Sequence, residues 1–411
     1  METEYKPIKL KCHEKLRKIT AEYWEKAHHA RDMGKYVVWC SGLVPAEFVT
    51  AMDFFPIYCM NNSATSAGQG VSLELCEMAE AEGYSPDICS YPRTDIGSAL
   101  AGEKTKNPLR PPKPDLLLVG NGQCHTITKW LESLGWVFDV PVILIDVPFM
   151  HDDADKETFN RAHAYIKDQL QELISFLEEF TGRPFNYDKL QEDISNSSRM
   201  FRLWLEALDM RQNIPCPLTA FDIFTHLFPV LGFRGTVEGA DYFQEFKEEV
   251  AERVVNKFSA IPNERFRVHL DGVPMWFNLR GMANKFAAYG ACPITHPYPI
   301  LFGAFKGLDA SMPIDSTAEC MLRPYINHGM KYRIDVIVEQ VEKYHLDGLA
   351  MQMSRTCKAL CTGVYDMMEE VEKRTGVPGV VFETDMCDTR LYSEAQVDTR
   401  LEAFFEMLAA R

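Results

Sequence analysis

Asp115-Leu116-Leu117-Leu118-Val119-Gly120-Asn121-Gly122-Gln123-Cys124-His125 is the stretch that decides the fold. A short apolar run bounded by turn residues predicts a buried strand, here Asp115 to Val119, and the sequence after the Gly-Asn-Gly loop predicts a helix from about His125. Pro108, Pro111, Pro112 and Pro114 make the approach stiff. Pro141 to Ile145 repeats the apolar run after that helix. Such runs alternating with helices indicate a parallel sheet covered on both faces.

The same rhythm continues outward. Tyr36-Val37-Val38-Trp39 and Phe55 to Tyr58 predict two earlier strands. Helices are expected from His13 to Met33, briefly from Pro45, and from Val71 to Glu82. The stretch from Asp155 to Lys257 is almost wholly helical in pattern, with Ile166, Leu170, Leu173 and Leu177 on one face. Pro215 and Pro217 interrupt it. A second α/β region starts at Arg265, with strands at Arg267–Leu270, Asp347–Met351 and Gly379–Phe382. Its helices are expected from about Phe277, at Lys331–Tyr344, at Lys358–Arg374, and finally to about Leu408 behind a capping box of Ser393 and Gln396. The expected fold is α/β, with two Rossmann-like parallel-sheet domains, 1–153 and 261–411, and a helical segment, 154–260, between them.

With 411 residues, 46% hydrophobic and 25% charged, the chain can bury large cores without disulfides. A formal net charge of -16 argues against binding nucleic acid or an anionic membrane. Met1 to Lys6 has no apolar run behind a basic start, so no secretory leader is expected. The strongest apolar stretch, Val140 to Met150, holds Asp146 and Pro148 and is too short to span a bilayer. A cytoplasmic protein is expected.

Twelve cysteines are many for such a chain, and their places are informative. Cys40, Cys124, Cys357 and Cys387 each follow a predicted strand, and Cys89 lies in the loop-like Tyr84-Ser85-Pro86-Asp87-Ile88. Ligands of open α/β sheets gather beyond the carboxyl ends of the strands. A loop-to-helix position suits a thiolate, because a helix start lowers a thiol pKa and its amides can donate to sulfur. Glycines ahead of Cys124 allow close backbone approach to a bulky group. Each cysteine taken singly reads equally as a packed core residue. No Cys-x-x-Cys pair is present, which disfavours structural zinc. A site using both Cys124 and Cys357 would be assembled across two domains, in the cleft between them.

At these residues the chain resembles a known family. The segments are Val38-Trp39-Cys40-Ser41; Leu73-Glu74-Leu75-Cys76-Glu77 with Gly83 to Cys89 and Arg93-Thr94-Asp95-Ile96-Gly97; Cys124 with Lys129-Trp130; Ser354-Arg355-Thr356-Cys357-Lys358; and Phe382-Glu383-Thr384-Asp385 with Asp388 and Arg390. Together, and in this order, they resemble cluster-bearing catalytic subunits of (R)-2-hydroxyacyl-CoA dehydratases and of ATP-dependent benzoyl-CoA reductase. The resemblance implies a 4Fe–4S cluster held by Cys89, Cys124 and Cys357, with one iron left open to substrate. It implies an acyl-CoA substrate, a homologous second subunit, and an ATP-dependent iron–sulfur activator that injects one electron. A ketyl radical anion then expels the 2-hydroxyl, the β-proton becomes acidic, and the electron is recovered. The alternatives implied are aromatic-ring reduction of benzoyl-CoA, or electron transfer without catalysis. A double-cubane cluster would draw on Cys40, Cys59 and Cys320.

Two departures stand out. Cys59-Met60-Asn61 occupies the place where dehydratases commonly carry Pro-Glu-Asn, and Gly42 stands where many carry serine. Ser41 and His125 are the catalytic candidates. Asn61 and Arg93 are the substrate-binding candidates. His125 reads as a hydrogen-bond donor behind the cluster, as a group that moves a proton, or as an ordinary helix-start residue, and Arg93 as a CoA-phosphate contact or a helix anchor. Asp385, Asp388 and Arg390 serve either the site or an ion pair. Trp130 reads as core. Cys12, Cys76, Cys216, Cys292 and Cys361 read as packing.

Overall fold

The computed structural model describes residues 8–102 and 110–411. Pro108 and the Met1–Lys6 segment lie outside the described residues. Two four-stranded sheets organise the chain, all their pairings parallel. In the first, β1 (Tyr36–Cys40), β2 (Phe54–Tyr58), β3 (Leu116–Gly120) and β4 (Val142–Ile145) lie in the order β2-β1-β3-β4. In the second, β5 (Phe266–Asp271), β6 (Ala291–Thr295), β7 (Gly348–Ser354) and β8 (Gly379–Thr384) lie in the order β6-β5-β7-β8. The sheets therefore share one topology. In each, winding reverses between the first and third strands, which opens a crevice beyond their carboxyl ends. Inner strands are buried on both faces: all five residues of β3 are buried and apolar, and all six of β5 are buried although Arg267, His269 and Asp271 alternate with its apolar residues.

In the chain between the two sheets come long helices at Lys156–Thr181, Tyr187–Asp209 and Val237–Val255. Asp155 and Asn186 cap the first two by accepting the amides of Thr158 and Lys189. This layer is locked to the first sheet by a fully enclosed ion pair, Arg234 to Glu47 at 2.8 Å, which Ser197 also hydrogen-bonds. The two sheet regions touch directly. Ser72 Oγ donates to the Cys387 carbonyl at 2.6 Å, and Met150 bridges to His328. No helix among the described residues is long and apolar enough to cross a membrane.

The structure adds helices at Cys59–Gly68, Ser90–Ala101 and Pro313–Leu322 that the sequence reading lacked, and it differs at four further places. β6 carries Pro293 and is an edge strand. Proline is tolerated there because one side of an edge strand needs no ladder donor, and the same proline conceals the strand from pattern reading. The helix expected over Lys358–Arg374 is broken into Lys358–Cys361 and Val364–Thr375, with Gly363 at φ +78° between them. Ser393 makes no side-chain cap, so the capping box is absent. The first helix ends at His28 rather than Met33.

Candidate functional site

Cys89, Cys124 and Cys357 each occupy the residue just before a helix: Ser90–Ala101, His125–Phe138 and Lys358–Cys361. Cys124 and Cys357 are topological equivalents, each following the third strand of its sheet at the winding reversal. Cys89 comes from the long connection between β2 and β3. All three line one cavity of about 60 Å³ between the two sheets. A single water needs about 10–15 Å³, so the space admits a compact core several waters in size. Tyr91, Trp130, Gln123, Tyr298, Tyr325 and Met386 complete much of the wall, and among the described residues no Asp, Glu, His, Lys or Arg lines it.

Burial pushes the Cys89 thiol well up, and the neighbouring Cys357 and Cys124 push it further. Burial likewise raises Cys357 to about 12, with Cys124 the next cause. Cys124 is raised by burial, which outweighs the opposing amides of Ile127 and Thr126. The helix starts thus oppose the rise in pKa without reversing it, contrary to the sequence expectation. Cys357 and Cys124 both act on Cys89, and Cys124 acts on Cys357, so the three thiols are near neighbours. Among the described residues no three His, Cys, Asp or Glu side chains gather to hold a single ion. The three sulfurs border a volume instead. An iron–sulfur cluster asks for that arrangement, because each thiolate binds a different iron. An all-thiol donor set with an apolar wall fits such a group.

Two larger cavities adjoin this one. A cavity of about 650 Å³ shares Gln123, Cys124, Thr126, Ile326 and Ala359 with it, and adds His125, His328, Arg333, Lys358 and one carboxylate, Asp146. Arg333 lies over the Tyr325 ring, and among the described residues His328 Nε2 is buried without a hydrogen-bond partner. On the other side, a cavity of about 230 Å³ shares Met60 and Tyr298 with the cysteine cavity. Phe224, Phe228, Leu231, Trp276 and Phe302 make it apolar, and among the described residues no charged side chain lines it. At this boundary the Trp276 indole donates to the Tyr91 hydroxyl, which stands 3.4 Å from that of Tyr298.

Other expected site residues fall differently. His125 lines the large polar cavity, and Asn61 lines the apolar one. Ser41 is fully buried, accepting the Gly120 amide at 2.9 Å, and so joins β1 to β3. Arg93 is enclosed by Glu80 at 2.6 Å and Asp388 at 2.8 Å, with Arg390 on the same carboxylates. It anchors the Cys89 helix rather than facing either adjoining cavity. Cys40, Cys59 and Cys320 are buried and line none of the three cavities, and Cys387 is buried as well. Cys361 is half-buried, not core. Trp130 is buried as expected, with one face on the cysteine cavity.

The glycines ahead of Cys124 also have a different use. A Cβ on Gly122 would sit 2.9 Å from Val147 Cγ1, so this glycine admits the chain leaving β4. The two departures from the family pattern meet in space. A Cβ on Gly42 would lie 2.6 Å from the Met60 methyl, so Met60 fills the room a serine at 42 would need. Tyr298 follows β6, where no apolar run marks an element, and Tyr325 opens a short turn beyond the helix Pro313–Leu322, so neither carries a sequence signal. Arg333 was hidden inside a helix pattern.

This is a two-sheet α/β protein with a cysteine-lined cavity at matching winding reversals. The chain belongs to the family described as 2-hydroxyglutaryl-CoA dehydratase, D-component, which it matches over residues 42–408. It is an enzyme subunit of that family. It is 30% identical to the (R)-phenyllactyl-CoA dehydratase alpha subunit of Clostridium sporogenes, over 96% of this chain and 95% of that one. It is 30% identical to the lactoyl-CoA dehydratase subunit alpha of Anaerotignum propionicum, over 94% of each. A benzoyl-CoA reductase subunit of Thauera aromatica is 28% identical, over 96% of this chain and 94% of its own length.

Proposed function

We propose that this chain is the iron–sulfur subunit of a radical (R)-2-hydroxyacyl-CoA dehydratase, with Cys89, Cys124 and Cys357 holding a 4Fe–4S cluster in the cleft between the sheets. One observation carries the reading: three cysteines from separate helix starts, contributed by both sheet regions, line one small cavity that lacks charged side chains. When bound, the cluster supplies a low-potential electron and one iron free of protein ligands. The chain's own residues do the rest. The apolar walls exclude water from the reacting thioester. Gln123 Nε2 donates to Met60 Sδ at 2.7 Å, and its buried Oε1 has no protein partner, leaving an acceptor for a substrate hydroxyl. Lys358, Arg333 and His125 suit the phosphates of coenzyme A in the 650 Å³ cavity. The apolar 230 Å³ cavity suits the acyl group. Tyr91 and Tyr298 stand where the two apolar cavities meet and can hold or pass a proton there.

Several relatives are named as alpha subunits, which supports a homologous second subunit as partner. The electron comes from an ATP-dependent iron–sulfur activator, and the complex works in the cytoplasm. The benzoyl-CoA reductase reading is favoured by one feature, the aromatic lining that would also take a ring. The test is anaerobic reconstitution with ferrous iron and sulfide, then iron analysis and titration with an acyl-CoA. We expect about four irons per chain, fewer in Cys124→Ala, and a spectral change on adding the thioester. An iron-free wild type overturns the reading. Iron without any thioester response leaves an electron carrier instead.

A further inference from the structure

Asp385 follows β8 and is completely buried, yet its hydrogen-bond partners include no Lys or Arg. The nearby cations Arg93 and Arg390 are taken by Asp388 and Glu80. Asp385 is instead satisfied by hydroxyls and amides from both sheet regions. Oδ1 accepts from Ser90 Oγ, from the Cys387 amide at 3.1 Å and from the Asp388 amide at 3.0 Å. Oδ2 accepts from Thr356 Oγ1 and from the Thr356 amide at 3.4 Å. The Ser90 amide closes the ring by donating to Thr356 Oγ1 at 3.1 Å.

Ser90 is the residue after Cys89, and Thr356 is the residue before Cys357. We propose that Asp385 is a positioning residue that clamps these two helix starts together and so sets the separation of the Cys89 and Cys357 sulfurs across the cleft. The assignment rests on the proposed role of those two cysteines as cluster ligands. A buried carboxylate is a costly way to hold two segments together, since its desolvation must be offset donor by donor. It yields what apolar contact cannot: directional bonds that fix two chains at one distance.

The test uses the full chain with Asp385→Ala, Asp385→Asn, Thr356→Val and Thr356→Ser. On iron-free protein, a short bifunctional thiol reagent followed by peptide mass spectrometry measures Cys89–Cys357 bridging. We expect at least a threefold lower yield in Asp385→Ala and Thr356→Val, and near wild-type yield in Thr356→Ser. After reconstitution, iron retention should fall at least twofold in Asp385→Ala. Asp385→Asn, which turns one of the two accepting oxygens into a donor facing Thr356 or Ser90, should give an altered electron paramagnetic resonance spectrum. Unchanged bridging in both Asp385→Ala and Thr356→Val overturns the clamp. If Asp385→Ala does not fold, Thr356→Val against Thr356→Ser decides alone. A wild type that takes no iron but shows the bridging pattern would sink the cluster while leaving the clamp standing.

Discussion

Replacing Asp95 by asparagine should change how the stability of this protein depends on pH. Asp95 lies on the helix that begins after Cys89 and is fully buried. Its Oδ1 accepts from Asn62 Nδ2 at 2.5 Å and Ser63 Oγ at 3.1 Å, and Trp130 also faces the carboxyl. Burial outweighs those bonds and pushes its pKa from 3.8 up to about 8. The folded protein therefore keeps a proton that the unfolded chain gives up. The neutral carboxyl is fully favourable below the unfolded pKa, and that contribution is lost as pH rises toward 8. One retained proton corresponds to about 1.4 kcal/mol per pH unit between those limits. From pH 5 to pH 7 the wild type should thus lose about 3 kcal/mol relative to Asp95→Asn, whose amide keeps the Oδ1 acceptor and cannot ionise. Urea unfolding of both proteins at several pH values measures the difference, with shared titrations cancelling. Parallel stability curves across pH 5 to 7 would show that Asp95 ionises as an ordinary carboxyl and would refute the reasoning.

Other outcomes follow from the same structure. Arg234→Met removes one partner of an enclosed pair and strands Glu47, so unfolding free energy should drop by about 3–5 kcal/mol; a thermal melt unchanged from wild type counts against it. Lys358→Glu should weaken acyl-CoA binding severalfold at low salt and less at high salt, read by calorimetry at two ionic strengths. Leu231→Glu puts a charge in the 230 Å³ apolar cavity and should weaken binding of a phenyl-bearing CoA thioester while leaving free CoA affinity within about twofold; equal loss for both ligands would place the acyl group elsewhere. Cys89→Ala, Cys124→Ala and Cys357→Ala should each lower bound iron after reconstitution, and Cys40→Ala should not, since Cys40 is no part of the cavity wall.

Much of this was legible in the order of residues alone. Leu116-Leu117-Leu118-Val119, buried on both faces, could only be an inner strand. The helical pattern of Leu170, Leu173 and Leu177 marked the middle layer, because a 3.6-residue period records which face is buried. Cysteines placed after strands pointed to the carboxyl edge of each sheet, since chain direction in a parallel sheet brings all those ends to one side. Local patterns failed where local chemistry was ambiguous: at Pro293 in β6 and at Gly363 between two helices.

Tertiary structure alone decided which residues meet. Cys89 and Cys357 are far apart in the chain, and only the packing of the two sheet regions brings them to one cavity. Arg93 carried the same charge whether it served a phosphate or a salt bridge; enclosure by Glu80 and Asp388 settled its partners. Ser41 beside Cys40 could have faced substrate, but the Gly120 amide claims it. Met60 and Gly42 became one feature only when a Cβ at 42 was found to need the space of the Met60 methyl. Periodicity encodes what each segment buries, whereas contact between distant side chains depends on how whole sheets pack, and no local pattern records that.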